Sequence, residues 1–163
     1  MGRRRQYRTN AERQRAYRRR KSMPVYLRHK SVEWETPAEV FEKLNREFGF
    51  TVDACATAEN AKCESFFTEE QDGLAQEWTG VVFCNPPYGR ALRRWIQKAY
   101  ESSQCGATVV CLVPSRTDTQ WWHKWILPHA QIRYVSGRLK FNDRGNSAPF
   151  ASVIAVFRST EHP

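Results

Sequence analysis

With 163 residues, 40% of them hydrophobic and 13% aromatic, the chain suffices for one domain with a substantial core and is too short for two. No stretch approaches the roughly 18 apolar residues of a membrane span. The start, Met1-Gly2-Arg3-Arg4-Arg5-Gln6, has neither the apolar run of a signal peptide nor the Ser or Thr of a myristoylation signal, so a cytoplasmic protein is expected.

The net charge of +9 is concentrated at one end. Residues 1–30 hold 12 of the 26 Lys and Arg and one of the 17 acids, a surplus of +11, and the remaining 133 residues carry −2. Residues 1–24 contain almost nothing to bury and read as an arm for a polyanion, with Arg18, Arg19 and Arg20 as its densest run. The plainer alternative is a solvated terminus. Composition changes near Met23-Pro24, so the folded domain is expected over residues 25–163. The five cysteines (55, 63, 84, 105 and 111) form no C-x2-C pair, and His29, His123, His129 and His162 have no ligand spacing. A disulfide framework and a metal site are therefore not expected.

Thr36-Pro37-Ala38-Glu39 has the form of a helix start, with Thr36 as N-cap, Pro37 in the first turn and Glu39 three residues on. Val40, Phe41, Leu44 and Phe48 then recur on one face, and Gly49 ends the helix. Phe50-Thr51-Val52 reads as a short strand running into Asp53-Ala54-Cys55-Ala56. An acid at such a strand end suits a cofactor's hydroxyls or ammonium group, and a helix N-cap is the alternative. Ser65-Phe66-Phe67 is a weak strand, and Asp72-Gly73-Leu74 a turn.

Val81-Val82-Phe83-Cys84 reads as a strand buried on both faces, as in a parallel sheet. It must stop at Asn85, because the residue before a proline is pushed to extended geometry and Pro86 and Pro87 donate no ladder hydrogen bond. The loop therefore lies at the carboxyl end of a buried strand, where open α/β sheets bind ligands. Asn85 offers a side-chain carbonyl and Pro86 a backbone carbonyl, two acceptors that can take both hydrogens of an –NH2 group. Tyr88 offers a flat face on which a heterocyclic base can stack. The alternative is a strand-ending Pro-Pro turn with a packed tyrosine.

Beyond the loop, Leu92, Trp95, Ile96 and Ala99 form a helical stripe. Residues 107–113 make a second buried strand that ends at Pro114, and the loop 115–119 opens a helix carrying Trp121, Trp122 and Trp125. Residues 132–135 and 151–157 read as the last strands, separated by Gly137-Arg138-Leu139-Lys140-Phe141 and a polar loop through Asn146. The alternation predicts an α/β fold, a mostly parallel sheet with a final antiparallel strand.

Asn85-Pro86-Pro87-Tyr88 resembles the (D/N/S)PP(Y/F) motif of S-adenosylmethionine-dependent amino-methyltransferases. From about residue 34 to 157, the chain resembles the small phage and prophage DNA N6-adenine methyltransferases of Dam type. The resemblance rests on Trp34-Glu35-Thr36-Pro37, Asp53-Ala54-Cys55-Ala56 with Asn60, Asp72-Gly73-Leu74 and Asn85-Pro86-Pro87-Tyr88-Gly89. It continues through Pro114-Ser115-Arg116-Thr117-Asp118-Thr119 with Trp121-Trp122, and Gly137-Arg138 with Phe141. It implies a Rossmann-like methyltransferase fold, S-adenosyl-L-methionine as cofactor, double-stranded DNA as partner and a bacterial host cytoplasm.

By this resemblance Asn85, Pro86, Pro87 and Tyr88 are the catalytic residues. Thr36 and Pro37 line the methionine side of the cofactor, Asp53 sits where the glycine-rich first motif normally ends its strand with Asp53-Ala54-Cys55-Ala56 in place of that loop, Ala54 contacts the cofactor, and Asp72 faces the cofactor's adenine. The chain departs from the wider superfamily in having no F-x-G-x-G loop. The match also omits a separate target-recognition domain, which leaves base readout to the loops holding Arg116, Trp121 and Arg138, or to the arm. The implied reaction is attack by the N6 amine of a flipped-out adenine, with no metal and no covalent intermediate. Cytosine N4, an RNA base, a protein glutamine and a non-catalytic DNA-binding role remain as alternatives.

Overall fold

The computed structural model describes residues 34–141 and 147–159. The basic arm with Arg18, Arg19 and Arg20, and the centre of the polar loop at 142–146, lie outside the described residues.

Helix α1 spans Ala38–Phe48, and strands β1 (Val52–Asp53), β2 (Ser65–Phe66) and β3 (Val81–Cys84) follow. Helix α2 (Leu92–Gln104) leads to β4 (Thr108–Pro114). A π-helical turn at Trp122–Ile126 runs into α3 (Leu127–His129), and β5 (Gln131–Tyr134) and β6 (Ser152–Phe157) complete the chain. The six strands form one sheet in the order β2-β1-β3-β4-β6-β5. β1 pairs in parallel with β2 and with β3, and β3 pairs in parallel with β4. β6 is antiparallel to both its neighbours, β4 and β5. The expected α/β class and mostly parallel sheet are therefore observed, with the last strand inserted between β4 and β5.

Period-two alternation divides the core. Val82, Cys84, Val109, Cys111, Val113, Val153, Ala155 and Phe157 face α2 and the π-helical turn, where they meet Leu92, Trp95, Ile96, Ala99, Trp122 and Ile126. Phe83, Val110, Leu112, Ile154 and Val156 face the other way, toward Phe41 and Leu44 of α1 and toward Phe141 and Ala148. Phe83 meets the Phe41 ring edge-on, with centroids 5.1 Å apart. Gly49 closes α1 at φ 66°, a left-handed cap that glycine adopts without strain.

Two local expectations change, and one alternative reading falls away. Thr36 is not the N-cap of α1. Pro37 occupies that position without a side-chain cap bond, and its carbonyl accepts from the N–H groups of Val40 and Phe41, both at 3.1 Å. The Thr36 hydroxyl is drawn instead into the loop after β3. Asp53 caps no helix either, because turns and bends follow it as far as β2. The tryptophan segment is also not plain α-helix: the Leu127 N–H reaches back five residues to the Trp122 carbonyl. Pro128 explains the wider turn, since it has no N–H for the Lys124 carbonyl and its ring crowds that carbonyl.

Candidate active site

The chain passes from β1 outward to β2, then returns to the other side of β1 as β3 and β4. The strand order thus reverses between β1 and β3, which is where an open α/β sheet leaves a crevice at its carboxyl edge. Asp53 ends β1 and pairs in register with Phe83, and Asn85 follows the last residue of β3. Two of the polar residues read from the sequence therefore stand on adjacent strands at the mouth of this crevice.

The Asn85 amide is oriented by chain far upstream. Its Nδ2 donates to the Trp34 carbonyl at 2.5 Å and to Thr36 Oγ1 at 2.9 Å. A backbone carbonyl can only accept, so the –NH2 end must face Trp34. Asn85 Oδ1 points the other way, buried and without a hydrogen-bond partner. The only other such side-chain atom among the described residues is Ser152 Oγ, at the start of β6. Leaving a buried amide oxygen unmade costs on the order of 1–3 kcal/mol, a strain expected of an acceptor held ready for a ligand.

Tyr88 is both packed and tethered. Its hydroxyl donates to the Leu112 carbonyl of β4 at 3.2 Å, and its ring meets Phe150 edge-on at 5.5 Å and Phe141 at 6.4 Å. Trp34 also contacts Phe141 at 5.3 Å and Phe150 at 5.1 Å, both edge-on. Four aromatic rings thus pack together beside the Asn85-Pro86-Pro87-Tyr88 loop. Burial raises the Tyr88 phenol well above its ordinary pKa and keeps it a neutral donor. The nearby thiols stay protonated too: burial lifts Cys84, and burial with the Asp53 charge lifts Cys63 to about 11.

On the β1 side, the Asp53 carboxylate is 3% exposed and holds the following loop. Oδ1 accepts from Cys55 N–H at 3.3 Å and Oδ2 from Lys62 N–H at 3.1 Å. Desolvation raises its pKa from 3.8 to about 6, against the lowering by those two bonds and by the Lys62 charge. The Lys62 ammonium pairs with Glu35 at 3.3 Å and so ties this loop to the Trp34–Pro37 segment.

Asp72 is exposed, adopts φ 50°, and accepts from Leu74 N–H at 3.2 Å. Its neighbour Gly73 is pressed against β1. A Cβ there would stand 2.3 Å from the Ala54 carbonyl oxygen and 3.0 Å from the Trp95 ring. The Gly73 carbonyl accepts from Trp78 Nε1 at 2.8 Å, which completes the clamp. Ala54 and the Asp72 turn are therefore neighbours.

The expected cofactor and catalytic residues fall into two joined groups, Asp53 and Ala54 with Asp72, and Thr36 and Pro37 with the Asn85 loop. Arg116, Trp121 and Arg138 join neither through a hydrogen bond or ring contact among the described residues. Arg116 is exposed in the loop after β4, and Trp121 is half-buried with its ring edge-on to Trp122 at 6.0 Å. Arg138 Nη1 donates to the Ala148 carbonyl at 3.4 Å, which bridges the base of the polar loop. Sequence reasoning missed the Trp34 and Leu112 carbonyls, which are backbone groups without a residue-type signal. It read Asp72-Gly73-Leu74 as a turn but not the close approach of Gly73 to the Ala54 carbonyl. Among the described residues no group of three or more His, Cys, Asp or Glu could share a metal ion, and no helix is long and apolar enough to cross a membrane.

The profile of the family described as DNA N-6-adenine-methyltransferase (Dam) matches residues 26–161. A "DNA N-6-adenine-methyltransferase" of Escherichia phage T1 is 31% identical over 116 residues, covering 69% of this chain and 48% of the relative. A protein of Escherichia coli strain K12 named "Putative methyltransferase YfdM" is 36% identical over 70 residues, covering 38% of this chain and 77% of the relative. The match spans about half the length of the phage protein. With the family profile matched over most of its length, the chain belongs to the Dam family of DNA N-6-adenine-methyltransferases.

Proposed function

We propose that the protein is a DNA methyltransferase that acts on the exocyclic N6 of adenine in duplex DNA, on a Rossmann-like methyltransferase fold. One observation carries this reading: Asn85 Oδ1 is a buried acceptor with no partner, fixed by two bonds on the opposite side of its amide. An incoming –NH2 group supplies the missing donor.

The cofactor implied by the family is S-adenosyl-L-methionine, which supplies an activated methyl group when bound. The chain fits such a group: the crevice lies between β1 and β3, and the absent Cβ of Gly73 lets the Asp72 turn close on Ala54. Thr36, Pro37, Ala54 and Asp72 would hold it, and Asp53 would keep the loop of residues 54–62 in shape around it.

The target base must leave the helix, which costs a few kcal/mol. Stacking on Tyr88 would return about 1–3 kcal/mol of this. Asn85 Oδ1 and the Pro86 carbonyl accept the two N6 hydrogens, which turns the nitrogen lone pair outward and stabilises the positive charge that grows on nitrogen. Fixing Asn85 beforehand through Thr36 and Trp34 means that no reorganisation is needed at the moment of transfer. The segment of residues 1–24 serves as an electrostatic arm on the phosphate backbone, and Arg116, Trp121 and Arg138 approach the bases flanking the target.

The reading is tested by incubating the full chain with unmethylated duplex DNA and methyl-labelled cofactor, then mapping modified bases. Label at adenine N6 in a defined sequence supports it. Label at cytosine N4, or none, rejects it.

A further inference from the structure

We infer that a second DNA-contacting surface lies on the folded domain itself, along the outer face of α2, and that it takes the phosphate backbone of duplex DNA beside the flipped base. The inference rests on the reading that the substrate is DNA.

Arg90 lies in the turn just before α2, and Arg93, Arg94, Gln97 and Lys98 follow at i, i+1, i+4 and i+5, so these four share one helix face. Arg90, Arg93, Arg94 and Gln97 are exposed and Lys98 is half-buried. The opposite face, Leu92, Trp95, Ile96 and Ala99, is buried against the sheet. Residues 31–163 together carry a charge of −2, yet this stripe with Arg90 concentrates four cations. Among the described residues no acid pairs with any of them: the two ion pairs are Lys62–Glu35 and Arg133–Glu47.

Their order along the helix is the reverse of what stability favours. The first turn of α2 has no acid and the last turn no base. Arg93 and Arg94 sit where the helix dipole is positive, and Glu101 sits near the negative end, bonded only to Gln97 at 2.7 Å. Cations crowded onto a helix N-terminus repel the dipole as well as one another. A bound polyanion removes both penalties.

Position identifies the anion. α2 connects the parallel strands β3 and β4, so its N-terminus lies at the carboxyl edge of the sheet, directly after the catalytic loop. Arg90 is two residues from Tyr88, and Gly89 between them passes its carbonyl to Leu92 N–H at 3.2 Å. From Arg93 to Lys98 the helical stripe extends about 7.5 Å, enough to follow about two successive phosphates of one strand, with Arg90 in the turn before it. Nucleotides flanking a base seated on Tyr88 would bring their phosphates to this face. Such contacts would fix register without reading sequence.

The test uses the full chain with Arg93→Gln/Arg94→Gln, and a charge-matched control, Lys43→Gln/Arg46→Gln, on the exposed face of α1. Binding to a fluorescent DNA duplex is measured by anisotropy across a salt series. The stripe variant should bind more weakly, with a log-affinity against log-salt slope shallower by up to about 1.8, or about 0.9 per lost phosphate contact. Its melting temperature without DNA should be equal to or above that of the wild type, because like charge has left the positive helix end. An unchanged slope, or an equal flattening in the control, overturns the inference. If the wild type transfers no methyl group to DNA but the stripe alone controls the slope, the proposed activity fails and the stripe stands. Absence of duplex binding by the wild type overturns both.

Discussion

The side chains of Asn85 and Thr36, 49 residues apart in the chain, meet at 2.9 Å, and this contact leaves Asn85 Oδ1 buried without a partner. Thr36 accepts one Nδ2 hydrogen while the Trp34 carbonyl accepts the other. A residue whose setting resembles a helix cap thus orients the Asn85 amide.

Thr36→Val preserves shape and removes the acceptor. With only Trp34 left to orient the amide, turnover should fall about tenfold, equivalent to ~1.4 kcal/mol of barrier. Thr36→Ser keeps the hydroxyl and should restore most of the rate. Single-turnover methylation at saturating cofactor measures both, and equal rates for the Val variant and the wild type would remove Thr36 from the mechanism.

Tyr88→Phe deletes the bond to the Leu112 carbonyl but keeps the ring. It should lower stability by roughly 1 kcal/mol and retain most methylation, whereas Tyr88→Ala should lose most activity. Denaturation and methylation assays on the pair separate tether from stacking. A Phe variant as inactive as the Ala variant would show that the tether to β4, not the ring, is what transfer requires.

Gly73→Ala places a methyl group 2.3 Å from the Ala54 carbonyl oxygen, where neither backbone can yield cheaply. The expected cost is about 1–3 kcal/mol, with weaker S-adenosyl-L-methionine binding because the Asp72 turn is pushed from β1. Melting and cofactor titration check this. Unchanged values for both would mean that the turn does not depend on that close approach.

How legible the fold was in the sequence follows from how much of each signal was local. β3, β4 and β6 are apolar runs buried on both faces, so their composition alone marks them. β1 and β2 have two residues each, too short for a period to show, and their pairing with distant strands defines them. Thr36 misled because its capping pattern is local whereas its partner follows β3. Asp53 was recognised as an acid at a strand end. Its grip on the N–H groups of Cys55 and Lys62 depends on how residues 54–62 fold back, which no spacing rule encodes. The α2 stripe has a plain helical period, yet the far larger charge of the leading segment masked it.

Asp53 also predicts a pH dependence. Its folded pKa, about 6, lies above the ordinary 3.8, so the folded protein holds this proton more tightly than the unfolded chain. The stability it contributes is complete below about pH 4 and is lost as pH rises through about 6, a change of roughly 3 kcal/mol. Asp53→Asn has nothing to titrate there. Wild-type stability minus variant stability, measured by urea denaturation, should therefore fall between about pH 4 and 6.5. A flat difference would show that Asp53 does not titrate as its burial implies.

The central claim is that Asn85 Oδ1 receives the target amine. Asn85→Ala removes that acceptor without touching Asp53, Ala54 or the Asp72 turn. The most direct measurement is single-turnover methyl transfer to adenine N6 in duplex DNA by wild type and Asn85→Ala, beside the cofactor Kd of each. The account predicts that transfer falls by at least about a thousandfold, equivalent to ~4 kcal/mol of barrier, while Kd stays within a few-fold. Transfer by the alanine variant at the wild-type rate would contradict it.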